Sequence, residues 1–128
     1  MQSQRQKIGH TGEDIATYYL IKKGYQILNR NFKTKWGELD IVASHNKTII
    51  FIEVKTLRFN QCRPLDFSPE DEITPYKCHQ LLKMTQVYLS ANKLPLDIAH
   101  QIDILAIELL SNSSIANIRH IKNAIKDC

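Results

Sequence analysis

The sequence predicts an α/β domain in which helices pack against a mixed sheet. Three observations predict it. Apolar residues at three- and four-residue spacing open the chain, apolar runs of strand length follow in its middle and near its end, and a second helical run with its own capping residue separates them. The 128 residues fit one domain at roughly 100 to 200 residues per domain. No internal repeat divides them, so 1–128 reads as a single unit.

The first helix is expected over about residues 5–23, where Ile8, Ile15, Ala16, Tyr19 and Leu20 share a face and Gly24 follows Lys22-Lys23 as a stop. YQILNRNF (25–32) and GELDIVASH (37–45) read as two antiparallel strands around a Lys-Thr-Lys-Trp-Gly turn region. His45-Asn46-Lys47 is short enough for a hairpin into TIIFIEVKT (48–56), whose first half is apolar on both faces and therefore belongs in the middle of a covered sheet. Residues 57–73, with Pro64 and Pro69, read as a long loop. Thr74 caps a helix that has Pro75 at its first position and runs to about residue 92, with Leu81, Leu82, Thr85, Tyr88 and Leu89 inward. QIDILAIELL (101–110) is a fourth strand, IANIRHI (115–121) a fifth, and Lys122–Lys126 a terminal helical turn.

Composition narrows the function classes. Hydrophobic residues at 43% and charged residues at 23%, with four Gly and four Pro, exclude disordered, collagenous and low-complexity chains. The net charge of +4 is unevenly spread: residues 1–63 carry 11 bases against five acids, and the remainder six against eight. A phosphate-facing surface is therefore expected in the first half. No apolar run approaches the roughly 20 residues of a membrane span, and MQSQRQKIGHTGED lacks the apolar core of a signal peptide. Cys62, Cys78 and Cys128 are odd in number and widely spaced, which predicts reduced, inert thiols in a cytoplasmic protein. The five histidines show no metal-binding spacing, and His120 reads as packing or surface.

The residues that do not suit a core carry the chemistry. Glu38 and Asp40 point to one face of their strand, as Glu53 and Lys55 do on the next. A two-residue turn at Asn46-Lys47 would set Asp40 opposite Glu53 and Glu38 opposite Lys55. A turn centred on Asn46 would set Asp40 opposite Ile52 instead. Glu13 lies three residues before Ala16 and seven before Leu20, on the inward stripe of the first helix, where a carboxylate needs a cation or donors. Glu13, Asp40 and Glu53 together suit Mg²⁺, a hard cation that takes carboxylate oxygens. Lys55 would orient the nucleophile or stabilise charge in the transition state of phosphodiester hydrolysis. The alternative makes Glu53 and Lys55 an exposed strand-end pair and Glu38 and Asp40 solvated turn residues.

An acid on the first helix, G-E-x-D on one strand and E-V-K at the end of the next resembles the PD-(D/E)xK nuclease superfamily. More closely, the chain is similar to the YraN-like family of uncharacterised bacterial proteins with a restriction-endonuclease-like fold, related to archaeal Holliday junction resolvases. The resemblance runs through Gly9, Gly12-Glu13, Ala16, Leu20, Gly24, Asn31, Gly37-Glu38-Leu39-Asp40, Phe51-Ile52-Glu53-Val54-Lys55, Lys77, Asp103 and His120. It implies a three-layer fold with a central mixed sheet flanked by helices. It also implies metal-binding roles for Asp40 and Glu53, a catalytic role for Lys55, a supporting acid at Glu13, and Glu38 as a further ligand or a group behind the ligands. Three positions depart from the pattern: Leu57 and then Arg58 follow the EVK motif where Arg is often found two residues after its lysine, Gln101-Ile102-Asp103 replaces Arg-Phe-Asp, and Leu39 stands for the superfamily's Pro.

Arg30, Lys33 and Lys35 are expected to contact phosphates, with Trp36 beside them able to stack on an unpaired base. Arg58 and Arg63 in the long loop are expected to clamp nucleic acid, and Lys77 at a helix start to make a phosphate or site contact, because a cation there opposes the helix dipole. The expected protein is a Mg²⁺- or Mn²⁺-dependent nuclease on DNA, with branched or structured DNA favoured, RNA as a second substrate class and a homodimer as the assembly to test. The rivals are a non-catalytic nucleic-acid-binding module of the same fold and a protein-interaction domain.

Overall fold

The computed structural model describes residues 4–59, 73–110, 112 and 114–128. Helix α1 (Gln4–Lys22) buries Gly12, Ala16 and Leu20, spaced four apart on one face, and ends with Lys22 in its last turn, where a cation complements the helix dipole. Strands β1 (Gln26–Thr34) and β2 (Gly37–His45) pair antiparallel around a two-residue turn, Lys35-Trp36. Gly37 closes that turn at φ +146°, where a Cβ would meet Gln80 Nε2 at 2.8 Å. A second two-residue turn joins β2 to β3 (Thr48–Phe59), with Asn46 and Lys47 both at positive φ (50° and 64°), the conformation that suits the right-handed twist of a tight hairpin.

From β3 the chain crosses through α2 (Pro75–Ala91) to β4 (His100–Leu110), which lies parallel to β3, and β5 (Ile115–Ile121) returns antiparallel. The sheet order is β1-β2-β3-β4-β5. This is the expected α/β fold: three layers, a mixed five-stranded sheet between α1 and α2, consistent with a restriction-endonuclease-like architecture. Ile49, Ile50, Phe51 and Ile52 are all buried because both faces of β3 are covered. Phe51, Ile104, Met84 and Tyr88 belong to the core under α2, while Ala16, Leu20, Ile52 and Leu105 belong to the core under α1.

The structure departs from the sequence reading in three places. β3 continues three residues past Thr56, because Leu57, Arg58 and Phe59 pair with Glu108, Leu109 and Leu110 of β4. The segment after β5 is a turn and not a helical one: Ala124 N donates to Ile102 O (2.8 Å), which lays Ile125 into the core under α2. That path also brings Cys128 to Cys78, with Cα atoms 6.1 Å apart and the sulfurs bonded, so these two thiols are not free. Cys62, Arg63 and the rest of 60–72 lie outside the described residues.

Candidate metal and nucleic-acid site

The site begins where β2 leaves β3. The ladder between them runs from His45↔Thr48 to Ile41↔Ile52, so the next residues to come level are Asp40 and Glu53, the register that a two-residue turn requires. Backbone pairing stops there, and Asp40 Oδ2 accepts the Val54 N–H at 2.8 Å in its place. The alternation of β2 also breaks at this residue: Leu39 packs in the core under α2 and Ile41 in the core under α1, although residues two apart on a regular strand share a face. Across from Asp40 on β1, between the Arg30↔Ile41 and Phe32↔Leu39 pairs, Asn31 takes φ +53°. The Asp40 carboxylate reaches across to the backbone of β3 at this break.

Glu53 faces α2 and is buried. Its Oε1 lies 3.5 Å from Lys77 Nζ, and its Oε2, also buried, has no hydrogen-bond partner among the described residues. Lys77 is brought there by the first turn of α2, which Thr74 caps by accepting the Lys77 N–H at 3.1 Å. Burial, reinforced by the charge of Asp40 and opposed by Lys77, pushes the Glu53 carboxyl up to about 8. Burial likewise raises Asp40, to about 6, against the pull of the Val54 N–H; the nearby charge of Glu13 raises it further, Lys77 lowers it, and Glu38 adds a smaller upward push. At neutral pH the two carboxyls therefore lack enough positive charge to ionise together.

The remaining expected residues fall at graded distances from this pair. Lys55 follows two residues after Glu53 on an unbroken ladder, opposite Ala106, so it stays on the face of Glu53. Glu13 is half-buried on α1 and approaches Asp40 from the other face of the sheet, with Arg30 Nη2 4.0 Å from its Oε2. Glu38 is half-exposed and 4.0 Å from Lys33 Nζ, outside the Asp40–Glu53 gap. Arg30 is committed to α1 through Asp14 Oδ1 at 2.8 Å, which ties the sheet edge to the helix. Lys35 lies over Trp36 at the hairpin tip. Arg58 lies near the end of β3, opposite Leu109.

Among the described residues no three His, Cys, Asp or Glu side chains converge on one point, so Glu13 and Glu38 do not complete a three-carboxylate cage. Asp40 and Glu53 nonetheless fit a hard divalent cation. The Glu53 Oε2 is a buried oxygen with no hydrogen-bond partner among the described residues, and Mg²⁺ is commonly held by one or two carboxylates, with waters and substrate phosphates filling its shell.

Sequence reasoning placed Lys77 as a phosphate or site contact from its position in a first helical turn, where a cation is otherwise unfavourable, but did not name Glu53 as its partner. It also missed how tightly Asp103 is held. That fully buried carboxylate accepts hydrogen bonds from Gln101 Nε2 (2.9 Å) and Asn123 N (2.8 Å) and pairs with His120 Nε2 (2.7 Å), and the other ring nitrogen of His120 lies 3.5 Å from Tyr19 Oη.

The chain matches the model of a family described as uncharacterised protein family UPF0102 over residues 12–107. Relatives carrying the same family name include proteins of Geotalea uraniireducens, 40% identical over 97% of this chain and 93% of that protein, and of Syntrophomonas wolfei, 38% identical over 92% and 96%. A Roseiflexus castenholzii protein is 31% identical over 99% of both.

Proposed function

This chain belongs to the uncharacterised protein family UPF0102, and we propose that it is a divalent-cation-dependent nuclease that hydrolyses DNA phosphodiesters. The observation that carries this reading is the under-satisfied carboxylate pair: a part-buried Asp40 and a buried Glu53, both with raised pKa values and the second with an orphaned oxygen, where the pairing of β2 with β3 ends. Burying such groups with only part of their cost offset is unfavourable, and a bound ligand would remove that cost. The resemblance of G-E-x-D and E-V-K to the PD-(D/E)xK nucleases supplies the reaction class.

Asp40 and Glu53 would hold Mg²⁺ or Mn²⁺. The cation supplies charge at a phosphoryl oxygen and a more acidic water. The protein's own groups do the rest. Lys77, which lies 3.5 Å from Glu53, would direct its ammonium to the scissile phosphate, and Lys55 on the same face would position the attacking water. Glu13 and Arg30 brace Asp40 from the α1 side. Lys33, Lys35 and Arg58 contact the flanking backbone. DNA with branched or unpaired structure is the favoured substrate, with RNA second, and a homodimer would place two such sites on one junction. No helix among the described residues is long and apolar enough to cross a membrane; a cytoplasmic setting is part of the proposal.

A second reading, a binding module of the same fold without turnover, draws on the Lys77–Glu53 pair, since an ammonium already stands near the oxygen a cation would take. Labelled single-stranded, duplex, flapped and four-way-junction DNAs with Mg²⁺, Mn²⁺ or EDTA separate the two. Cation-dependent cutting is expected, and Lys55→Ala should slow turnover about 100-fold, the usual size for losing a positioned proton-transfer or charge-stabilising group, with cation affinity unchanged. Binding without cutting on every substrate would leave only the module.

A further inference from the structure

We propose that the tip of the β1–β2 hairpin is a stacking platform for an unpaired DNA base, next to the carboxylate site. The proposal rests on the nuclease reading and deepens it by naming the part of the substrate that the protein recognises. Trp36, the chain's single tryptophan, sits in the two-residue turn with about half of its surface (49%) open to solvent. Its backbone is held, since Trp36 N donates to Thr34 Oγ1 at 3.0 Å, so the ring projects from a defined turn. Lys83 of α2 and Lys35 place their ammonium groups 4.1 Å and 4.9 Å from the ring centroid.

Beside this ring lies a cleft of about 350 Å³ between the hairpin and α2, lined by Lys33, Thr34, Gly37, Glu38, Lys77 and Gln80. Lys77 belongs to both places: it lines the cleft and pairs with Glu53. In its wall the Gln80 side chain packs directly on Gly37, at a place a Cβ would obstruct. Four lysines and one glutamate around an exposed indole form a basic-aromatic surface leading to the acidic pair, the combination that holds single strands by stacking bases while cations follow the backbone. An exposed lysine–indole contact is weaker than a base stacked on the ring, so a base displaces an ammonium from the ring face and that ammonium moves to the adjacent phosphate. A duplex offers no free base face, which makes the platform selective for unpaired DNA.

Because Trp36 is the only tryptophan, its fluorescence reports the contact directly. The intact protein in EDTA is titrated with a short oligothymidylate, with a duplex at equal phosphate concentration, with oligouridylate and with heparin. Saturable quenching by the single strand is expected, with little by duplex or heparin. By labelled-strand anisotropy, Trp36→Ala should weaken single-strand binding about tenfold, the loss expected for one stacked base, and Trp36→Phe should restore most of it. Equal quenching by duplex and heparin, or full affinity in Trp36→Ala, would overturn the platform. Tighter binding of oligouridylate would overturn the assignment to DNA. The arms in EDTA need no catalysis, so stacking without Mg²⁺-dependent cutting would retain the platform and reject the nuclease, whereas cutting by a fully binding Trp36→Ala would do the reverse.

Discussion

Two buried carboxyl groups in the same sheet have opposite fates. Asp103 on β4 is fully enclosed, yet its pKa lies below the ordinary carboxylate value: burial alone would raise it, and the hydrogen bonds of His120, the Asn123 N–H and Gln101, together with the charge of His120, outweigh that penalty. Glu53 on the neighbouring β3 is also buried, but its burial is answered only in part, by one lysine, and the second acid at Asp40 makes it worse. Asp103 is a finished interaction that pins the segment after β5 to the sheet. The Asp40–Glu53 pair is unfinished, and the proposed cation site rests on that difference.

The largest effect should come from breaking the finished side. Asp103→Ala would strand His120, Gln101 and the Asn123 N–H without their shared acceptor, and removing one partner of a buried pair costs about 3–5 kcal/mol. Denaturant unfolding should show this loss, with the stabilisation gained on adding Mg²⁺ little changed for the fraction that folds. A small loss would mean that Asp103 is not the structural member of the comparison.

Glu53→Gln tests the unfinished side. The change removes a charge at nearly constant volume, so at pH 8 the variant should be at least as stable as the parent. Its Mg²⁺-dependent rise in Tm should disappear and cleavage fall about 100-fold or more, the scale of an electrostatic contribution lost from the transition state. If Mg²⁺ raises the Tm of both proteins equally, Glu53 is not a ligand.

The same contrast sets the pH profile of the metal-free protein. Asp40 and Glu53 hold protons more tightly folded than unfolded, so their contribution to stability is full below the unfolded carboxylate range and is lost as pH rises through about 6 and about 8. Asp103 has the opposite sign: its contribution is present above its unfolded value of 3.8 and is lost as pH falls through its lower folded pKa. Thermal unfolding in EDTA should therefore peak in weak acid and decline toward pH 9 by roughly several kcal/mol, since one pKa unit corresponds to about 1.4 kcal/mol. Mg²⁺ should flatten the alkaline limb and leave the acid limb alone. An alkaline limb unchanged in Glu53→Gln would mean that it has another source.

How much of this was legible in the sequence follows from the range of the interactions. The doubly apolar Ile49–Ile52 run, the Thr74-Pro75 helix start and the Gly12-Ala16-Leu20 face are local signals, and the elements lie within a few residues of where those signals put them. Glu53 and Lys55 share a face by strand periodicity alone. The hairpin register was open by one residue, and only the two positive-φ turn residues resolve it. The break of alternation at Asp40 has no local signature, since it shows only in the placing of Leu39 and Ile41 in opposite cores. Asp103 finds His120 and Asn123 across 17 and 20 residues, and Cys78 finds Cys128 across 50, separations at which no periodicity pairs one residue with another.

The smallest expected effect isolates the lysine that stands between the two conditions of the site. Lys77 neutralises Glu53 in part and, as a cation in a first helical turn, is held there against the helix dipole by the turn that Thr74 caps. Thr74→Ala removes that cap at a cost of about 1 kcal/mol. General damage would lower stability and Mg²⁺ affinity together. If Lys77 competes with the cation for Glu53, loosening its turn weakens the competitor, so stability should fall while Mg²⁺ affinity, read by the midpoint of a titration, rises modestly. Thr74→Ser, which keeps the hydroxyl, should change neither. Affinity falling in step with stability would mean that Lys77 helps to build the cation site and does not hold its place.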